Sequence, residues 1–186
     1  ELLDTGVFDG DRYFDVVVEY AKATPEDVLI EITAVNRGPE PAVLDVLPRL
    51  WFRNRWSWQG GDRPILQELP GTPGRSVVKG QEANLGERYL YCEGETSLLF
   101  TENETNTQRI FGVRNRSPYV KDGINNHVVH GQQGVVNPDK KGTKAAAHYR
   151  ITVGPGDSRV IRLRLSNVSP EALAAGNGAN ASPFGV

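Results

Sequence analysis

Apolar residues recur at every second position along much of this chain, a spacing typical of β-strands with one buried face. Residues 13–21 form the first such segment, in which one face consists of Phe14, Val16, Val18 and Tyr20. A turn-forming segment at 24–27 follows, and apolar residues then alternate again over residues 28–34. The two segments therefore predict a β-hairpin near the start of the chain.

Further alternating segments lie at residues 44–52, 87–92, 97–101, 145–153 and 161–165. Pro48 lies inside the first of them and predicts an edge position or a bulge, because proline cannot donate a ladder hydrogen bond. We expect the strands at 87–92 and 97–101 to pair around Gly94. We expect the last two strands to pair around the turn at 154–157, whose sequence is Gly-Pro-Gly-Asp.

Helix signals are few. Residues 169–176 have a serine cap, a proline at the first helical position and a glycine at the end, which predicts one short helix. The fold class is therefore all-β: a two-layer antiparallel β-sandwich, super-sandwich-like, with long ordered loops and a short C-terminal helix. We assign residues 1–168 to the β-sandwich domain and residues 169–186 to a short helix and linker.

Two long segments do not match a plain sandwich. Residues 55–86 are rich in glycine and proline, and residues 103–142 show little sustained alternation. Loops of such length are usually functional or disordered. The second segment contains too many apolar residues for disorder, so we expect it to be ordered against another part of the protein.

The composition excludes several classes of protein. The 23 acidic and 21 basic residues give a net charge of −2, so we expect no nucleic-acid partner. We also expect no membrane partner and a cytoplasmic location, since the chain has no long apolar run and no signal peptide. The chain lacks methionine and starts at Glu1, from which we expect a fragment of a longer protein. The single cysteine, Cys92, lies in a strand-like segment and is expected to be a buried apolar residue.

All three tryptophans fall in residues 51–58, interleaved with arginines. Tryptophan and arginine side chains stack on sugar faces or bases and also anchor protein interfaces. Trp51 or Phe52 is expected to belong to the core, whereas Trp56 and Trp58 leave the strand at a glycine-rich corner, where they would contact a ligand or a partner.

The other chemistry-bearing residues form no recognisable catalytic or metal motif. His127 and His130 are three residues apart, but no third ligand stands at a standard spacing, so we expect no metal and no cofactor. The chain has no phosphate-binding loop and no serine nucleophile elbow. The carboxylates available for acid–base chemistry are Glu102, Glu104 and Asp122, and their spacing does not show that any two face each other.

Several segments resemble the N-terminal domain of bacterial glucosidase-type proteins related to glycoside hydrolase family sixty-three and to mannosylglycerate-hydrolase-like enzymes. They are residues 1–6, 12–16, 35–39, 47–54, 100–106, 119–123 and 142–149. This resemblance implies a two-domain enzyme in which an N-terminal super-β-sandwich precedes a C-terminal barrel of helices. It also implies that the barrel supplies the general acid and base of an inverting hydrolysis, and none of the family's catalytic carboxylates has a counterpart here.

We therefore expect a non-catalytic domain of an oligosaccharide-acting glycoside hydrolase, which packs on the helical catalytic domain of the same polypeptide and lets its long loops cover the sugar cleft. The candidate carbohydrate-contacting residues are Arg53, Trp56, Trp58, Asn103, Glu104, Asn106, Tyr119, Lys121 and Asp122. Two alternatives stay open at this point. One is a free-standing carbohydrate-binding module with Trp56 and Trp58 as its platform, and the other is an autonomous enzyme that uses Glu102, Glu104 or Asp122.

Overall fold

The computed structural model describes residues 2–69, 74–94, 96–177 and 182–184. After two short 3-10 helices, the strands are β1 (Phe14–Thr24), β2 (Asp27–Asn36), β3 (Ala42–Val46), β4 (Arg49–Trp51), β5 (Ile65–Leu69), β6 (Arg75–Glu82), β7 (Gly86–Glu93), β8 (Ser97–Thr101), β9 (Lys141–Gly142), β10 (Lys144–Val153) and β11 (Ser158–Ser166). The helices are α1 (Trp56–Gln59), α2 (Thr107–Phe111), α3 (Gly123–His130) and α4 (Pro170–Asn177). The predicted all-β class is confirmed.

The strands form two antiparallel sheets. The large sheet has the order β1-β2-β11-β7-β6-β5-β9. In the small sheet β10 is the central strand, with β3 and β4 paired to it in succession and β8 paired to it as well. The predicted first hairpin is confirmed, since β1 pairs with β2 from Phe14 opposite Asn36 to Thr24 opposite Asp27. Of the two positions predicted for Pro48, the edge is confirmed: Pro48 lies between β3 and β4, which pair only with β10 among the described strands.

Two predicted pairings are wrong. Strands β7 and β8 do not pair with each other; β7 pairs with β6 and β11, and β8 pairs with β10 in the other sheet. Similarly, β10 belongs to the small sheet and β11 to the large one. The connections at Gly94 and at residues 154–157 are therefore arches that cross between the sheets rather than hairpin turns.

The second arch is held by Asn36 at the end of β2. Its backbone N–H donates to the Asp157 carbonyl, and its carbonyl accepts from the Gly156 N–H, both at 3.0 Å. The buried Asn36 side chain also donates to the Val153 carbonyl at 3.0 Å and to the Glu40 carbonyl at 2.7 Å. Backbone groups of the turn therefore form their hydrogen bonds with Asn36 of β2. For this reason the turn is stable although β10 and β11 do not pair with each other.

The main core lies between the two sheets. The large sheet contributes Ile32, Leu66, Val78, Leu90, Cys92, Ile161 and Leu163, and the small sheet contributes Leu98, Phe100, Ala145 and Ala147. Burial of this kind stabilises a fold by about 25 cal/mol for each Å² of apolar surface removed from water. The expected burial of Cys92 is confirmed.

Two smaller clusters cover the outer faces. Helix α4 places Leu173 against Val77, Tyr89 and Tyr91 of the large sheet. Helix α3 places Ile124 against Leu99 and Ala146 of the small sheet. The segment at 103–142 is thus ordered against the sandwich, as expected, and its helices extend the fold beyond two layers.

The predicted C-terminal helix is confirmed as α4, and the Ser169 hydroxyl accepts a hydrogen bond from the Ala172 N–H at 3.2 Å. Most of the predicted linker lies outside the described residues. Its described part is in contact with the large sheet: the Pro183 carbonyl accepts from Arg164 at 3.0 Å, and Phe184 packs beside Leu173. Within the described residues no helix has the length and apolarity needed to cross a membrane.

Strands β5 and β6 were not predicted, because the glycines and prolines of residues 55–86 mask their alternation. Leu66 and Val78 from these strands lie in the main core. Residues 55–86, which the sequence indicated as irregular, therefore supply two strands on one side of the large sheet.

Burial raises the pKa of the Cys92 thiol to about 12. The folded protein keeps the thiol proton that the unfolded chain releases above its ordinary pKa, so this residue's contribution to stability is lost as the pH rises from about 9. We expect iodoacetamide at pH 8 to leave Cys92 unmodified in the folded protein, where the thiol is buried and protonated, and to label it in guanidinium chloride. Stoichiometric labelling of the native protein, measured by mass spectrometry, would contradict the buried position.

Candidate functional site

The three tryptophans lie on or beside one loop, residues 52–64, which we call the tryptophan loop. Its only regular element is α1, a single turn that places Trp56 and Trp58 one after the other. Asn54 shapes the start of this turn: its side-chain oxygen accepts from the Ser57 N–H at 3.1 Å, and its side-chain nitrogen donates to the Ser57 hydroxyl at 3.0 Å. The loop conformation is therefore encoded locally by an asparagine placed three residues before a serine.

The tryptophan loop is also tied to the segment that follows β8. The side-chain nitrogen of Asn54 donates to the Asn103 carbonyl, and that of Asn103 donates back to the Phe52 carbonyl, both at 3.0 Å. The Trp56 indole N–H donates to the Glu104 carboxylate at 2.9 Å, and Arg63 forms an ion pair with Glu102. Because the anchors lie at both ends and in the middle, the loop is held in one arrangement.

Glu104 is the central anchor. It is buried, and a buried carboxylate is costly unless it is hydrogen-bonded. The indole N–H supplies one such bond, and hydrogen bonds to charged groups contribute about 1.5–3 kcal/mol each. Glu104 therefore fixes the orientation of the Trp56 ring, which is half-buried.

A cleft of about 630 Å³ lies between the tryptophan loop and the turn that joins β6 to β7. Its walls combine apolar and charged side chains. They are Phe52, Arg53, Arg55, Trp56, Asp62, Pro64, Glu82 and Leu85, with smaller contributions from neighbouring residues. A stacking ring beside charged hydrogen-bonding groups is the combination that a hydroxyl-rich ligand requires.

Trp58 is 85% exposed and is not among the described residues that line this cleft. An exposed indole on a loop held by hydrogen bonds loses little conformational entropy when it binds, which makes it suitable for contact with a second domain or a ligand. Of the two residues expected to provide a core side chain, Phe52 packs against the main core, and Trp51 is 55% exposed.

Glu82 in the cleft is held by the turn that follows it. Its carboxylate accepts from the Leu85 N–H at 2.9 Å and the Asn84 N–H at 2.8 Å, and these bonds lower the pKa of Glu82 below its ordinary value. The group is therefore ionised at neutral pH, a state suited to accepting hydrogen bonds from hydroxyls and unsuited to a general acid.

A second polar cluster lies beyond Glu104. The side-chain nitrogen of Asn106 donates to Asp122 at 3.2 Å, and its oxygen accepts from the Arg109 N–H and from Asn115, both at 3.0 Å. Arg109 also forms an ion pair with Asp122 at 3.2 Å. The hydrogen bonds of Asn106 and Asp122 thus hold α2 against the start of α3.

Residues 102–106 and 119–121 run side by side. The Glu102 N–H donates to the Tyr119 carbonyl at 2.8 Å, and the Lys121 N–H donates to the Glu104 carbonyl at 3.0 Å. The Lys121 ammonium lies 3.2 Å from the Thr105 hydroxyl. This pairing connects the anchors of the tryptophan loop to the α2–α3 region.

The structure thus places the nine candidate residues in four locations. Arg53 and Trp56 line the cleft, Asn103 and Glu104 lie beneath the loop, and Trp58 extends from it. The remaining four, Asn106, Tyr119, Lys121 and Asp122, belong to the adjoining segment. Sequence reasoning missed Asp62, Arg63 and Glu82.

The three carboxylates considered for acid–base catalysis all have structural partners. Glu104 accepts from Trp56, Asp122 binds Asn106 and Arg109, and Glu102 accepts from the Thr143 hydroxyl at 2.7 Å. Among the described residues, no set of three or more histidine, cysteine, aspartate or glutamate side chains is grouped to hold a metal ion. His148 lies elsewhere, on the outer face of β10, 2.8 Å from the Asp45 carboxylate.

Comparison with known proteins gives two similarities. The chain is 30% identical to the Saccharomyces cerevisiae protein named uncharacterized protein YMR196W, over 83% of this chain and 17% of that protein. The chain thus spans about one sixth of the length of this relative. No family model matches the chain.

Among solved structures, a polysaccharide lyase (BACCELL_00875) superposes with a TM-score of 0.47 at 12% identity, over 82% of this chain and 20% of that one. A similarity at this level has no bearing on the activity of the present chain.

Proposed function

We propose that this chain is the N-terminal, non-catalytic β-sandwich domain of a longer glycoside hydrolase that acts on oligosaccharides. In this proposal residues 1–168 form the sandwich, and residues 169–186 lead toward a helical catalytic domain of the same polypeptide. The tryptophan loop and residues 103–131 then cover one side of the sugar cleft. The resemblance of seven sequence segments to the glucosidase-type domain supports this assignment.

The observation that carries the proposal is the fixed position of Trp56 in the cleft wall. The indole N–H is held at 2.9 Å by Glu104, while the ring lines a cleft that also contains Arg53 and Asp62. Sugars bind through stacking of their apolar faces on aromatic rings, combined with hydrogen bonds to charged and amide groups. A ring that is already oriented contributes to binding without the cost of ordering it.

The same features support a non-catalytic role. The anchoring carboxylates accept hydrogen bonds that hold loops in place, and Glu82 is kept ionised by its own turn. The length of the relative, of which the match occupies only 17%, is compatible with a domain inside a larger protein.

In the longer enzyme, we expect Trp56→Ala to raise KM about tenfold with kcat changed by less than about twofold, since about 1.4 kcal/mol of ring contact is lost. Steady-state hydrolysis of malto- and manno-oligosaccharides measures both constants. Trp51→Ala is the control, because Trp51 is a neighbouring tryptophan at the end of β4 that lies outside the cleft lining, and it is expected to change neither constant.

An unchanged KM in Trp56→Ala would mean that the cleft does not contact the sugar. The domain would then have only a structural role. Calorimetric titration of the 186-residue chain against the same sugars distinguishes the alternative of a free-standing carbohydrate-binding module. Millimolar or tighter binding by the isolated chain would favour the module, and its absence the domain. A hydrolytic activity of the isolated chain that is lost in Glu104→Gln would instead favour an autonomous enzyme.

A further inference from the structure

The β-sandwich is open along one side, which we call the seam. The seam is a cleft of about 460 Å³ between the β1–β2 side of the large sheet and the β3–β4 side of the small one. Its lining is largely apolar and includes Val16, Val18, Tyr20, Val46, Leu47 and Leu50. The main core of the protein is therefore continuous with a surface that is exposed in this chain.

Strand β1 forms the border of the seam. It pairs with β2 on one side, and no strand in the described part of the chain pairs with its other side. Its inward row is apolar yet exposed, with exposed fractions of 48% for Val16, 45% for Val18 and 71% for Tyr20. Alternate residues of this eleven-residue strand thus present unpaired backbone groups beside an apolar cleft.

Proteins usually protect such edges with proline, bulges, short strands or inward-pointing charges. Strand β1 is long, contains no proline, and is regular until the shift between Lys22 and Thr24. Its inward row from Phe14 to Tyr20 carries no charge. Apart from Asp15 and Glu19 on the outer row, none of the usual protections is present along this stretch. The apolar inward row is unprotected, and the physical expectation is that the edge is covered in the native molecule.

The charges on the outer row of β1 indicate what covers it. Asp15 and Glu19 lie on this row; Asp15 is paired with Arg37 at 2.6 Å, and Glu19 lies opposite Glu31 of β2. Arg162 is engaged with Glu31 at 2.9 Å, and among the described residues no cation pairs with Glu19. Two copies of β1 paired antiparallel would bring two such acidic rows together, which is unfavourable.

We propose that an extended segment of the longer polypeptide, from outside residues 1–186, pairs with the free edge of β1 and fills the seam. Its chemistry follows from the surface: apolar side chains at alternate positions toward the seam and a lysine or arginine beside Glu19 on the outer row. The inference rests on the proposed function, which makes this chain a domain of a longer enzyme. In the yeast relative, most of the polypeptide lies outside the matched part.

Hydrogen–deuterium exchange of the β1 amides tests the inference in the 186-residue chain and in the longer polypeptide. Alternate amides of β1, those directed away from β2, are expected to exchange about a hundredfold more slowly in the longer polypeptide. In that polypeptide, Val18→Lys is expected to restore fast exchange because it places a charge in the seam. Val17→Lys is the matched control, since Val17 is equally exposed (51%) but faces outward, and it is expected to leave the protection unchanged.

Equal exchange rates in the two proteins would overturn the inference, as would equal effects of the two lysine variants. Concentration-dependent protection in the 186-residue chain, with sedimentation as a dimer, would show that a second copy covers the edge and would also overturn it. The measurement needs no enzymatic activity. A longer polypeptide with a protected β1 and no glycosidase activity would contradict the proposed function alone.

Discussion

Replacement of Phe100 by alanine is expected to lower the free energy of unfolding by about 4 kcal/mol. Phe100 lies on β8, is fully buried, and belongs to the small-sheet side of the main core. Alanine removes the ring and leaves a cavity between the two sheets, because the surrounding close-packed side chains relax only partly into the space. Equilibrium unfolding in guanidinium chloride, followed by circular dichroism, measures the loss.

Val43→Ala is the control for this experiment. Val43 lies in the same small sheet, on β3, but is 50% exposed, so its truncation should cost less than about 1 kcal/mol. Similar losses in the two variants would mean that the space between the sheets is not the main core. Because domains of this size have a total stability of about 5–15 kcal/mol, the Phe100 variant should also be visibly less stable to heat.

The second large effect is expected from Gly142→Ala, at about 3 kcal/mol of stability. A Cβ atom at position 142 would lie 2.3 Å from the Thr101 carbonyl oxygen and 2.9 Å from its carbon, and both are backbone atoms that have little freedom to move. The close approach of Gly142 to β8 allows the Thr143 N–H to donate to the Thr101 carbonyl at 3.1 Å. The added methyl group should separate these strands.

Gly112→Ala separates this steric effect from the general cost of replacing a glycine. Gly112 ends α2 with a positive φ of 68° and has open space around a built Cβ, so its replacement should cost only about 1 kcal/mol. A Gly142→Ala variant no less stable than Gly112→Ala would show that the packing of β9 on β8 is looser than described. Chemical denaturation of both variants provides the comparison.

Gly142 also connects the fold to the candidate site. The neighbouring Thr143 hydroxyl accepts from the Asn103 N–H at 2.8 Å and donates to Glu102 at 2.7 Å. Displacement of Gly142 would therefore disturb the segment that anchors the tryptophan loop. Stability of the core and geometry of the cleft are coupled through this one close approach.

The local features of the fold could be predicted because they depend on neighbouring residues. The hairpin of β1 and β2, the edge position of Pro48 and the helix that starts after Ser169 each follow from a short pattern of alternation, proline or capping. Strands β5 and β6 could not be predicted in the same way. Their pattern is interrupted by glycine and proline, and the surrounding sheet determines their conformation.

The sequence predicted which types of residue form the candidate site, but it did not predict which of them lie next to each other. The aromatic stretch and the residues around Glu104 were identified, because tryptophan, arginine and carboxylate side chains are rare in such density. Their connection was not predictable, since Trp56 and Glu104 are 48 positions apart and meet only because the tryptophan loop lies beside the end of β8. The contributions of Asp62 and Glu82 to the cleft depend on the same long-range packing.

By itself the sequence determined that this protein is built from strands, which face of the regularly alternating strands is apolar, and where many of the turns lie. Only the tertiary structure decided which strands pair, that the turns at Gly94 and 154–157 are arches between two sheets, and which polar residues surround one cleft. The physical reason is that alternation specifies the face of a strand and not its neighbour. Pairing is chosen by the burial of many faces at once, as when Asn36 holds the second arch through bonds to residues more than 100 positions away.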